Sequence, residues 1–224
     1  DADHDDVHEK PECSPEEKSY LIDFASNYLK DDITEADVVW SYSGVRPLYN
    51  DGATSATAAT RDYVLKVNES AGAPMLNIFG GKITTYRKLA EDAMEKIAPF
   101  FEDTANHWTA GVALPGGDFP VGDVQKLIGT LMSDYPFLDR AWATRLIRAY
   151  GTEARQILGD ARAATDLGAT FGYNLTETEV RWLMQREYAK TADDVLWRRS
   201  KLGLRLSEVE AATLDRWMQT QPGS

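Results

Sequence analysis

Between Asn106 and Gly122 the sequence holds Pro115, Gly116, Gly117, Pro120 and Gly122 with little hydrophobic periodicity, and the pattern of the chain changes across this stretch. Strand signals occur before it and fade after it, where helical signals accumulate, so one uniform architecture for the whole chain is excluded. The expected organisation is a mixed domain over residues 1–109, a linker over 110–122 and a helical domain over 123–224.

Before the boundary, Ser14-Pro15-Glu16-Glu17 offers an N-cap, a proline at the first helical position and a capping-box glutamate. Tyr20, Leu21, Phe24, Ala25, Tyr28 and Leu29 follow at helical spacing, which predicts a helix from Pro15 to Leu29. Three runs have strand character: Val38 to Tyr42, Asp62 to Val67 and Met75 to Phe79. Residues Asn50 to Thr60, rich in Ala, Thr and Gly, read as a loop. The third run enters Gly80-Gly81, and Thr84-Thr85 then opens a helix whose Tyr86, Leu89, Ala90, Ala93, Met94 and Ile97 form an apolar stripe.

After the boundary, helices are predicted over Asp123–Met132, Asp139–Tyr150 with Gly151 as its stop, and Glu153–Leu158. Thr176 with Glu179 reads as the capping box of a helix reaching Tyr188, and Ser207 with Glu210 as that of a helix reaching Met218. No repeat or low-complexity segment interrupts the pattern. The expected class is α+β: a fragment of a mixed or antiparallel substrate-domain sheet with flanking helices, followed by an all-α C-terminal domain.

Charge and cysteine content narrow the functional classes. With 24 Lys plus Arg against 36 Asp plus Glu, the formal charge of −12 argues against nucleic acid as a partner, since phosphate backbones need a basic face. A hydrophobic fraction of 43% supports a real core rather than disorder. Cys13 is the one cysteine, which rules out an intrachain disulfide framework and fits a reducing, cytoplasmic setting. No run is apolar and long enough to span a bilayer, and the opening DADHDDVHEKPE is acidic where a signal peptide would be basic and then apolar. The start without Met reads as a piece of something longer. His4 and His8 among Asp1, Asp3, Asp5, Asp6 and Glu9 could be drawn as a metal site, but an acidic solvated terminus is the simpler account, and no metal is expected.

Two features can carry chemistry. Gly80-Gly81-Lys82-Ile83-Thr84-Thr85, between a strand and a helix, would leave backbone N–H groups at the positive end of a helix dipole, with glycines permitting close approach of a ligand. A tight strand-to-helix turn alone also explains the glycines. Ser43-Gly44-Val45-Arg46-Pro47-Leu48 places an arginine in extended geometry before a proline, where its fork could hold a carboxylate or phosphate or simply be solvated. Trp182, Trp197 and Trp217 fall in helical segments and read as packing residues. Arg198, Arg199 and Lys201 read either as partners of Asp193, Asp194 or Glu187, or as an interdomain or dimer contact.

SYSGVRPLYNDG, TRDYVL, FGGKITTYRKLAEDAMEKI, ALPGGDF and DVLWRRSKLGL, in that order from Trp40 to Leu204, resemble the aerobic FAD-dependent glycerol-3-phosphate dehydrogenases of bacteria and mitochondria. The first and third phrases also resemble the wider D-amino-acid-oxidase-like flavoprotein group. The resemblance implies that Arg46 binds the substrate anion, glycerol 3-phosphate. It implies that Gly80, Gly81, Lys82, Ile83 and Thr84 contact the isoalloxazine of FAD, with Lys82 also near substrate.

The family's N-terminal GxGxxG fingerprint, which grips the ADP part of FAD, occurs nowhere in this chain, and the expected histidine base also lies upstream in the family. His4, His8 and His107 sit in no matching motif, so no catalytic base is assigned. The expectation is an enzyme part that is inactive and unlikely to keep FAD without its N-terminal half. The parent would oxidise glycerol 3-phosphate to dihydroxyacetone phosphate, pass electrons to a quinone, and sit peripherally on the cytoplasmic face of the inner membrane. An oxygen-using glycerol-3-phosphate oxidase and a helical dimerisation or interaction module, with a homodimer as its product, are the alternatives.

Overall fold

A computed structural model describes residues 8–50, 52, 60–70, 72–102 and 104–221. His4 and nearly all of the expected 50–60 loop lie outside the described residues. The chain divides into two compact units, Asp1–Val112 and Ala113–Ser224. The described residues form seven α-helices and one two-stranded antiparallel sheet, an α+β chain that ends in helices.

In the first unit α1 spans Pro15–Ser26, and its capping box forms as the sequence predicts. Glu17 N–H donates to Ser14 Oγ at 3.2 Å, and Ser14 N–H donates to the Glu17 carboxylate at 3.0 Å. The helix stops three residues before the expected Leu29: the Ser26 hydroxyl accepts from Ile33 N–H at 3.0 Å, and the chain turns back there. Strands β1 (Val64–Asn68) and β2 (Met75–Phe79) pair antiparallel, with Val64 opposite Phe79 and Asn68 opposite Met75. The expected strand at Val38–Tyr42 does not form; alternation favours extended backbone, but a strand needs a ladder partner, and none of the described residues supplies one. A 3₁₀ turn over Ile83–Thr85 leads into α2 (Tyr86–Ile97), which packs on both strands.

The second unit holds α3 (Val124–Asp134), α4 (Arg140–Tyr150), α5 (Ala154–Leu158), α6 (Glu177–Arg186) and α7 (Glu208–Gln219). Ile128, Leu146, Leu175, Val180, Val195 and Leu214 have no solvent exposure to speak of and anchor one continuous core. Trp182, Trp197 and Trp217 pack against that core, as packing residues should. Asp194–Arg199 forms a π-helix, and Gly203 follows so closely that a Cβ on it would lie 2.4 Å from the Trp197 ring.

One local reading of this unit is overturned. Thr176 is the N-cap residue of α6 but its side chain caps nothing, and α6 ends at Arg186 rather than Tyr188, whose φ is +58°. Glu179 is turned inward instead. Arg145 donates to its two oxygens at 2.5 and 2.7 Å, Tyr150 donates at 2.7 Å, and Arg145 also holds Asn174. Burial and then the Glu179 charge push the Tyr150 phenol above its ordinary range, so it stays a neutral donor.

Candidate functional site

Three of the phrases singled out in the sequence converge on one turn of the first unit. Gly80 and Gly81 have φ of +68° and +100°, left-handed values that only glycine adopts without strain. A Cβ on Gly80 would lie 3.3 Å from the Asp62 carbonyl oxygen and 3.6 Å from that of Pro47. A Cβ on Gly81 would lie 3.2 Å from Leu89 Cδ1 of α2 and 3.5 Å from Tyr63 Cβ. The glycines are therefore required by the turn itself and by the backbone packed on it, whether or not a ligand is present.

Donors make the stronger argument for ligand binding. The backbone hydrogen bonds of the turn begin with Thr85 N–H, which donates to the Lys82 carbonyl at 3.0 Å. The N–H groups of Lys82, Ile83 and Thr84 have no backbone acceptor among the described residues. They precede the start of α2, where the helix dipole favours an anionic or electron-rich group. Gly81, Lys82, Ile83 and Thr84 are all exposed, and Ile83 is 86% exposed, an apolar side chain standing in solvent beside these N–H groups. Lys82 Nζ lies 3.5 Å from Asp62 Oδ1 in an open ion pair. These residues fit the electron-rich edge of a flavin ring: a cradle of glycines, several N–H donors and a cation.

Arg46 is exposed on the neighbouring loop. Leu48 N–H donates to the Arg46 carbonyl at 2.9 Å, closing a three-residue turn around Pro47, whose fixed φ suits it. Tyr49 then ties the loop to the sheet: its ring lies 5.4 Å from that of Phe79, and Lys66 of β1 donates to its hydroxyl. Tyr49 and Lys66, which no motif in the sequence singles out, hold the arginine loop against the sheet. Alternation in TRDYVL marked a strand but gave no sign that Lys66 would reach across to the arginine loop.

Two carboxylates tie α2, the helix that follows the turn, to its neighbours. Ala93 and Glu91 are the buried residues among those described in the first unit. Asp92 accepts from Tyr63 at 2.5 Å and pairs with Lys88 at 2.7 Å, and these partners hold its carboxyl below the usual range. Glu91 accepts from Thr109 at 2.5 Å and from Arg87 at 2.9 Å; the Thr109 hydroxyl first, then the Arg87 charge, lower its pKa.

Of the other sequence candidates, Arg198 pairs with Asp194 at 3.0 Å and Arg199 donates to the Glu187 carbonyl at 2.9 and 2.7 Å, so both have local partners. An open apolar groove of about 300 Å³, lined by Leu21, Ile22, Ala25, Ile33 and Trp40 among others, lies between α1 and the extended 38–42 segment.

Residues 107–220 match the family described as the C-terminal domain of alpha-glycerophosphate oxidase. The chain belongs to this family. It is similar to an aerobic glycerol-3-phosphate dehydrogenase of Escherichia coli (strain K12), with 40% identity over 203 residues that cover 90% of this chain and 40% of that protein. It is similar to a D-erythritol 1-phosphate dehydrogenase of Brucella abortus (strain 2308), with 42% identity over 201 residues, again 90% of this chain and 40% of that protein. The mitochondrial glycerol-3-phosphate dehydrogenase of Homo sapiens is 31% identical over 208 residues, which are 88% of this chain and 27% of that protein. The chain thus spans about 40% of the length of the bacterial relatives. No helix among the described residues is long and apolar enough to cross a membrane.

Proposed function

We propose that this chain is the C-terminal portion of an FAD-dependent dehydrogenase that oxidises sn-glycerol 3-phosphate to dihydroxyacetone phosphate. The observation that carries the proposal is the convergence at Gly80: the loop bearing Arg46, the residues just before β1 and the glycine turn before α2 are in contact, beside N–H groups that have no backbone acceptor among the described residues. The similarity to glycerol-3-phosphate dehydrogenases over 90% of the chain supports the same reading.

In this account Gly80, Gly81, Lys82, Ile83 and Thr84 hold the ring end of FAD, and Arg46, with Lys82 beside it, anchors the substrate phosphate. FAD supplies the two-electron acceptor that no side chain can provide. The donors of the turn and the Lys82 ammonium supply fixed positive potential where negative charge builds during reduction. The Arg46 fork suits a dianionic phosphate, which it can bind through two parallel hydrogen bonds. The C2 hydroxyl proton is left to a base outside this chain, together with the grip on the ADP part of FAD. These residues alone are therefore inactive and do not retain FAD. Electrons leave to a membrane quinone, from a parent held peripherally at the cytoplasmic face of the inner membrane, with homodimer contacts through the helical unit.

The D-erythritol 1-phosphate dehydrogenase at 42% identity favours a second reading of the substrate, a longer polyol phosphate bound by the same phosphate anchor. Both readings are tested by steady-state assay of the full-length protein with glycerol 3-phosphate and D-erythritol 1-phosphate, each with a quinone analogue and with oxygen as acceptor. The proposal expects the highest kcat/KM for glycerol 3-phosphate with the quinone analogue. Preference for D-erythritol 1-phosphate would replace the substrate, preference for oxygen would make the protein an oxidase, and turnover of neither phosphate would overturn the proposal.

A further inference from the structure

Among the described residues of the first unit, the best-buried polar side chain has no part in the chemistry proposed above. Glu91 is 8% exposed on α2, as deeply buried as Ala93 at 9%, where an aliphatic residue would be the ordinary occupant. A carboxylate taken out of water is costly unless its oxygens are matched. Oε1 is matched by a closed set, with Thr109 and Arg87 both donating to it and Arg87 also reaching the Thr109 hydroxyl at 3.2 Å, while His107 Nδ1 lies 3.7 Å from Oε2, in ion-pair range. His107 Nε2 meanwhile reaches Glu95 at 3.0 Å, one turn further along the same helix. Arg87 preceding Glu91 is the less favourable order for an i,i+4 pair, so helix propensity alone does not account for the pair.

The neighbouring carboxylate points to what this arrangement does. Successive helix residues are directed about 100° apart, so Glu91 and Asp92 grip α2 from two sides. Asp92 binds Tyr63, whose Cβ is in van der Waals range of the space a Gly81 side chain would need. Glu91 binds the 104–112 segment, which runs on into the helical unit. α2 packs on both strands, yet Ala93 is its one buried apolar residue, so directional hydrogen bonds add a restraint on sliding and rotation that these contacts alone do not give.

We infer that Glu91, held by Thr109 and Arg87, is a positioning residue: it fixes the rotation and axial setting of α2 against the 104–112 segment, and through α2 the setting of the Gly80–Thr84 turn. This rests on the function proposed above for what the turn does. It adds that the segment entering the helical unit helps to place the flavin-facing turn, through a hydroxyl and a carboxylate that touch neither substrate nor cofactor.

The test uses the full-length protein with Thr109→Val, Thr109→Ser and Glu91→Gln. Three readouts are taken: the visible flavin spectrum, the anaerobic rate of flavin bleaching at saturating glycerol 3-phosphate, and the thermal midpoint. The valine variant keeps the shape of Thr109 and removes its hydroxyl. It is expected to shift the flavin band and slow bleaching by on the order of 10- to 100-fold, the size of effect a small misplacement produces. The serine variant should restore both. Glu91→Gln keeps an acceptor for Thr109 and should lie between them, which preserves the test if the valine variant folds poorly. Unchanged spectrum and rate in Thr109→Val, whatever its thermal midpoint, would overturn the inference while leaving the proposed function standing. A wild-type protein that holds FAD but is bleached by no polyol phosphate would sink the proposed function instead, and the spectral comparison would still decide the positioning claim.

Discussion

Gly80 lies against the arginine loop: at its φ of +68° a Cβ would sit in van der Waals contact with the Pro47 carbonyl oxygen, at 3.6 Å. Gly80→Ala therefore adds backbone strain, on the order of 1 kcal/mol or more, and crowds the Asp62 carbonyl oxygen, 3.3 Å from the new Cβ. Full-length protein with this substitution should purify with clearly less than one FAD per chain, while the helical unit keeps its melting behaviour. Wild-type flavin content would show that the turn tolerates a side chain and faces no cofactor.

The two units differ in what holds them. The second has a continuous apolar core, whereas the first buries Ala93 and Glu91 among its described residues. Residues 113–224 expressed alone should fold cooperatively with strong helical circular dichroism, and residues 1–112 alone should not, because polar clamps cannot offset chain entropy without apolar burial. Denaturant melts of the two pieces decide this.

The Arg145–Glu179–Tyr150 set should respond asymmetrically to substitution. Arg145→Met leaves Glu179 buried without its cation and should cost about 3–5 kcal/mol. Tyr150→Phe removes one hydrogen bond to Glu179 and should cost about 1–3 kcal/mol. The pair Arg145→Met with Glu179→Leu should be more stable than Arg145→Met alone. Urea titration of the 113–224 piece measures all three, and additive losses in the double variant would contradict the coupling.

Acid should loosen α2 first. Glu91 and Asp92 have folded pKa values below their ordinary 4.5 and 3.8, so their contribution to stability is complete above those ordinary values. It is lost as the pH falls through the lower, folded values. Amide exchange in α2 of the full-length protein should accelerate below about pH 4.5 relative to α4, and Glu91→Gln with Asp92→Asn should flatten that dependence. An unchanged pH dependence in the double variant would show that other carboxylates govern α2.

Legibility in the sequence followed the range of the interactions. The capping boxes at Ser14 and Ser207 span four residues and form as written. Thr176 and Glu179 have the same spacing, but Glu179 is claimed by Arg145 and Tyr150, which are 34 and 29 residues away and leave no local trace. Val38–Tyr42 has strand composition, yet pairing is a property of two segments, and the other two strand-like runs pair with each other. The Pro-Gly stretch announced irregular backbone but not its tight fit: a Cβ on Gly151 would lie 1.8 Å from the Gly116 carbonyl oxygen. At the candidate site Arg46 and the Gly80–Thr84 turn were legible as motifs. Tyr49, Lys66 and the Thr109–Glu91 contact were not, because their partners lie 17 and 18 residues away in sequence.

The substrate anchor is the centre of this account, and Arg46→Ala in the full-length protein tests it most directly. Anaerobic titration of flavin bleaching against glycerol 3-phosphate should show an apparent Kd raised by about 10- to 100-fold, the worth of a charge-assisted hydrogen-bonded pair. Wild-type affinity and bleaching rate in that variant would contradict the assignment of Arg46 as the residue that holds the phosphate.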